Sequence, residues 1–231
     1  MRDHAFFTAI SVAASLVILL GFGRTYPPKL ASPEPGFPAI VHLHAAVFTA
    51  WLLFFIGQVV LAMRGRIALH RKLGNFGVIA AFLMLFLGCA AAVAVTRRGD
   101  AGIPGAMFES PSEFLLISLT AIVVFFILTL AGYVWRKDGE THKRLMLMAT
   151  IGGLMPPGIA RLPLANGHMP AVSAITILFL VAGPIYDKLI HRRIHRAYFV
   201  GIAVSLFASP PLVHAMTGTS LWRSVASSIL R

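Results

Sequence analysis

Charge is scarce in this chain, and acidic charge scarcest: of 231 residues only 8 are Asp or Glu, and charged residues of both signs make up 12%. A single cysteine, Cys89, excludes an intramolecular disulfide and any C-x-x-C metal or redox pair. The C-x-x-C-H signature of covalent haem attachment is missing as well. No basic module interleaved with aromatics is present, so nothing points to nucleic acid. Low-complexity linkers are absent too. What the chain has in abundance is apolar surface: 58% hydrophobic residues and a mean hydropathy of +0.82. An ordinary soluble domain carries less.

About 20 apolar residues span a bilayer core as a helix, at roughly 1.5 Å per residue. Seven stretches qualify, at about 5–23, 38–63, 70–96, 111–135, 142–162, 171–190 and 196–215. They use up nearly the whole chain. The expectation is therefore an all-α, polytopic membrane bundle of seven transmembrane helices, one domain over 1–231. The first stretch begins like a signal peptide, but "RTYPPKL" follows where a small-residue cleavage site should stand. It is read as an uncleaved helix.

The cations set an orientation. Arg64, Arg66, Arg71 and Lys72 lie after the second stretch, Arg136, Lys137, Lys143 and Arg144 after the fourth, and Lys188, Arg192, Arg193 and Arg196 after the sixth. By the positive-inside rule these connections are cytoplasmic. The N-terminus is then expected inside and the C-terminus outside, in a cell inner membrane. The formal charge of +12 becomes a topology signal and a surface for anionic lipid.

Local signals mark the breaks. In "SPSEF", Ser110 suits an N-cap, Pro111 a first turn and Glu113 a capping box, and Pro38 suits the start of another helix. Pro156 and Pro157 must break or bend the fifth helix, freeing carbonyls that lipid cannot satisfy. Such breaks face protein or a wet cavity, so the fifth helix is expected to line one.

Histidines recur in one setting: "IALHRKLGNFG", "ETHKRLMLMA" and, more loosely, "RRIHRAYFVG". His70, His142 and His195 each stand at the start of an outward-going helix, which suggests three hairpins built on one plan. His70 shares a face with Gly74, Gly77, Ala81 and Gly88, a small-residue stripe of the kind that packs helix on helix. His142 similarly aligns with Met146, Ala149 and Gly153, and His195 with Tyr198, Ile202 and Ser205. At the other face, His44 opens a stripe through Phe48, Trp51, Phe55 and Gln58, which can border a quinone or simply pack. His214 and His168 lie at that level with Met155, Met169 and Met216. Arg161, just past the prolines, suits a carboxylate, a propionate or a lipid phosphate. His4, His42 and His191 are read as surface residues.

Neutral imidazole is the usual protein ligand for haem iron and many transition metals, and the positive end of a helix disfavours the imidazolium form. The cations that follow each His can neutralise haem propionates. Helix-end His and Arg also arise from topology alone, because the interface tolerates polarity. His195 and His214 are nineteen residues apart, about 28 Å along a helix, and cannot serve one cofactor.

"LHRKLG" opening one helix and "THKRLM" opening another resemble a group of uncharacterised bacterial polytopic membrane proteins. They are more distantly similar to transmembrane b-type cytochromes and ferric-reductase-like bundles. The resemblance implies His70 and His142 as functional positions, with His44 a further candidate. Taken with the chemistry of the histidines, the expected function is a redox protein binding haem b or a redox metal, with a quinone or redox protein as partner. The full candidate set is His70, His142, His195, His44, His214 and Arg161, of which the first four are candidate metal ligands. Two alternatives stand beside it. A copper-handling or assembly protein would use the outer His and Met residues. A zinc-dependent membrane hydrolase would use Asp187, His191 and His195, spaced by four.

Overall fold

The computed structural model describes residues 2–31, 36–99, 108–165 and 168–231, all helical or turn with no strand among them. The helices are α1 (Arg2–Ala31), α2 (Ala39–Met63), α3 (Ile67–Arg97), α4 (Pro111–Val134), α5 (Gly139–Ala149), α6 (Met155–Ala160), α7 (Met169–His191), α8 (Arg196–Ser205), α9 (Pro210–Thr217) and α10 (Ser220–Leu230). A π-turn, Thr150–Leu154, joins α5 to α6, and a 3₁₀ turn, Leu206–Ala208, follows α8. Among the described residues, five helices are long and apolar enough to cross a membrane: α1, α2, α3, α4 and α7. The α8–α9 pair, bent by 41° at Ser209, makes a sixth if it counts as one span.

The helix starts follow the local chemistry. Ser110 Oγ accepts the amide of Glu113 (3.2 Å), and Pro111 fills the first turn of α4. Glu113 reaches back to the amide of Glu109 (2.7 Å), one residue earlier than a capping box would require. Asp138 caps α5 through the amides of Glu140 and Thr141 (3.1 and 3.2 Å).

The core is a helix that is weak as a membrane span by composition. Every residue from Leu147 through Met155 is buried, along with Gly158, Ile159 and Ala160. The α5–π-turn–α6 path is thus the central column, packed by α1, α4 and α8. Glycine permits the closest crossings. A Cβ at Gly153 would lie 2.5 Å from Phe125 Cβ and 2.7 Å from that residue's backbone, and one at Gly158 would lie 2.8 Å from Ile18 Cα. The predicted interruption at Pro156–Pro157 takes the form of the π-turn immediately before it. Met155 N–H donates to Thr150 O, five residues back, and the two prolines then open α6 where amide donors are not needed. The helical path is widened, not cut.

Outward, the bundle is apolar. Phe76, Ile79 and Phe86 on α3 are 61%, 60% and 67% exposed, whereas Gly77, Ala81, Met84 and Gly88 of the same helix are buried. The small stripe therefore faces the bundle and the large side chains face out. That is the pattern of a helix with hydrocarbon around it.

Two boundaries differ from expectation. The last predicted span is bent at Ser209, where Pro210 and Pro211 begin a new helix, and α10 extends beyond it. The first helix runs on through Pro27 and Pro28 to Ala31.

Candidate paired-histidine site

The chain ends of the helices sort into two groups. Contacts join the start of α1, the end of α2, the start of α3, the end of α4, the start of α5, the end of α7 and the start of α8 at one end of the bundle. All three basic connections lie here.

His70 and His142 meet at this end, with ring centroids 5.9 Å apart and planes at 79°. Each is the fourth residue of its helix, and each amide closes the first α-turn on the N-cap carbonyl, Arg66 O (3.0 Å) or Asp138 O (2.9 Å). Each side chain then turns back to the preceding helix: His70 Nδ1 lies 3.3 Å from Gln58 O, and His142 Nδ1 lies 2.8 Å from Gly132 O. A carbonyl only accepts, so each Nδ1 donates, which leaves Nε2 as the ring nitrogen able to ligate. Neither Nε2 has a hydrogen bond among the described residues. Two hairpins thus place the same residue in the same way.

His195 does not join them. It caps α8, its Nδ1 accepting the amide of Ala197 (3.2 Å), while its own amide donates to Asp187 Oδ2 (3.1 Å). Arg192, at φ 62° in the left-handed region, makes the turn that brings this about. Burial and then the charge of Arg144 hold the His195 imidazole below its usual pKa, against the pull of Asp138, Asp187 and Glu140. It is committed to a structural bond.

The same end holds an ion-pair network that sequence reasoning missed. Arg144, 2% exposed, clasps Asp187, also 2% exposed, through Nε–Oδ2 (3.1 Å) and Nη2–Oδ1 (2.7 Å). Its Nη1 donates to Glu140 Oε2 (2.6 Å), and its guanidinium lies between the rings of Phe7 and Tyr198. Lys143 bridges Asp3 (3.4 Å) and Glu140 (2.8 Å), and Tyr186 and His191 also reach Asp3. Glu140 thus accepts from both Lys143 and Arg144 at the head of α5. Asp138 is lowered chiefly by its bond from the Thr141 hydroxyl. Of the cations beside the paired histidines, Lys143 and Arg144 are therefore engaged. Arg71 and Lys72 are exposed and make no hydrogen bond or ion pair among the described residues. The Asp187 carboxylate, one member of the hydrolase-like set, is taken up by Arg144.

At the opposite end, His44 and Arg161 line a cavity of about 1260 Å³ together with Phe22, Phe48, Pro156 and Pro157. His214 lies apart from them, exposed on α9 beside Glu113 (3.8 Å) and Glu109 (4.0 Å). Among the described residues no three His, Cys, Asp or Glu side chains form a group able to hold a metal ion.

No protein-family model matches the chain, and neither a curated protein nor a solved structure is detectably similar to it. What the helix-opening motifs resemble therefore rests on the residues themselves.

Proposed function

We propose that this is a multi-pass protein of a cell inner membrane that holds haem b between His70 and His142 and passes electrons to or from a quinone or redox protein. One observation carries the proposal: two imidazoles on different helices, 5.9 Å apart, each with Nδ1 fixed by a carbonyl and Nε2 free. Imidazoles bound on either side of one ion at about 2.0–2.1 Å have ring centres roughly 6 Å apart. Backbone carbonyls orient such ligands and raise their basicity.

The ligand count favours haem over a bare metal. Zinc sites take three or four protein ligands, and a copper site needs a comparable set. The paired histidines supply two, the number a porphyrin leaves open. Haem would supply one-electron chemistry. The residues of this chain would hold the iron through the two Nε2 atoms and offer Arg71 and Lys72 to the propionates. The basic end is assigned to the cytoplasm by the positive-inside rule, with anionic lipid against it and seven passes of the membrane. That count takes the central column Gly139–Ala160 as a span.

The test is the absorption spectrum of protein purified after expression with ample haem. A Soret band is expected, lost in His70→Ala and in His142→Ala while helix content is unchanged, and retained in His195→Ala. A wild type with no Soret band overturns the reading. Stoichiometric zinc in the same preparation would favour the hydrolase alternative, and copper the metal-handling one.

A further inference from the structure

The cavity at the opposite end needs an occupant of its own. Its walls come from α1 to α4, the π-turn, α6, α7, α8 and the bend into α9, and they are mostly apolar. At about 1260 Å³ it exceeds the usual 300–1,000 Å³ of a drug-sized ligand site. Among the polar side chains on its wall, which include Tyr26, His42 and several hydroxyls, Arg161 and His44 each hold a buried nitrogen with no partner.

Arg161 stacks over the Phe22 ring at 4.2 Å and donates one hydrogen bond, Nη1 to Pro157 O at 2.7 Å. Its Nε is buried without a partner, and it makes no ion pair among the described residues. A guanidinium has five N–H donors in a fork suited to carboxylate or phosphate. Burying that charge without a counter-charge is costly. The contrast with Arg144 is informative: that buried arginine has two carboxylates, while half-buried Arg161 has none among the described residues. His44 Nδ1 is likewise buried with no partner, on the wall of the same cavity.

We propose that this cavity binds a single-chain amphiphile with a carboxylate or phosphate head, the head on Arg161 and His44 and the tail along the apolar wall. An unbalanced cation calls for an anion, and the apolar volume beyond it calls for a long chain. A neutral amphiphile would leave the charge uncompensated, and a small anion would leave the cavity empty. This site is separate from the paired histidines and does not depend on what they bind.

Isothermal titration calorimetry on the full chain in dodecyl maltoside tests it, with oleate, dodecyl phosphate, dodecanol, dodecyltrimethylammonium and inorganic phosphate as probes. Oleate or dodecyl phosphate is expected to saturate at about one per chain, and the other three to show no saturable binding. Arg161→Gln should weaken binding by about tenfold or more, as loss of a charge-assisted bond does. Arg161→Lys should stay within a few-fold of wild type. Ala121→Phe, which pushes a ring into the cavity from α4, should abolish binding with helix content intact. Dodecanol binding as tightly as oleate, inorganic phosphate saturating the site alone, or oleate binding undiminished in Ala121→Phe would each overturn the proposal. The last readout serves even if Arg161→Gln fails to fold.

Discussion

Arg144 and Asp187 stand 43 residues apart in the chain, yet they pair through two hydrogen bonds with both side chains buried. Breaking a buried pair by removing one member leaves an uncompensated charge and costs about 3–5 kcal/mol, whereas replacing both by apolar groups of similar size is often close to neutral. Asp187→Ala should therefore unfold in detergent at a markedly lower temperature than wild type, and Arg144→Met with Asp187→Leu should recover most of the loss. Strictly additive effects of Arg144→Met and Asp187→Leu, measured singly and together, would show the pair uncoupled. Nothing in the sequence marks Arg144 out from its neighbours, because a cation after a helix end looks like a topology signal whatever it touches. Asp187 in turn was grouped by spacing with His191 and His195, and only the left-handed turn at Arg192 shows that the helix ends between them. His70 and His142 were legible, since each sits at the fourth position of a helix whose start the neighbouring turn residues announce. Their mutual distance was not, being a matter of how α3 and α5 pack.

At the scale of elements, hydropathy located the helices well and their ends less well. Apolar runs are local properties, and so are caps such as Ser110 and Asp138. Harder to see was which helix is central. The α5–α6 path is modest in hydropathy because it carries charged residues at one end and glycines within, and those glycines are what admit its neighbours. Gly153 is the sharpest case, since a methyl there meets the Phe125 backbone, which no side-chain rotation relieves. Overpacking of this kind costs about 1–3 kcal/mol. Gly153→Ala should lower the melting temperature of the purified bundle clearly. Gly57→Ala on α2, with nothing within 4 Å of the new methyl, should leave it unchanged or slightly raised. Equal effects at both positions would mean that helix propensity, not the α4 crossing, governs.

For the molecule as a whole, the asymmetry of charge is the organising feature. One end gathers the basic connections, the paired histidines and the ion-pair network, and the other holds the cavity with the half-buried Arg161 on its wall. Under the seven-pass reading, reporter fusions after Trp135 and after Arg231 should report opposite compartments, the first cytoplasmic. The same compartment for both would remove one crossing, and the central column or the bent α8–α9 pair would be the element to reassign.

The π-turn sets the angular phase between those two ends. A π-turn holds one residue more than an α-turn, so everything after Thr150–Leu154 is rotated by about 100° relative to an uninterrupted helix from His142. His142 and Arg161 belong to one continuous helical path, and the extra residue decides whether they point to the same side of it. Deleting Gly152 would return the path to plain α-helical winding, turning Arg161 about 100° and drawing it roughly 1.5 Å along the axis. The α3–α5 histidine pair, upstream of the change, would keep its geometry while the guanidinium left the cavity wall. A Gly152 deletion that keeps the Soret band and loses oleate binding would show that the single added residue is what lets one helix serve two differently facing sites.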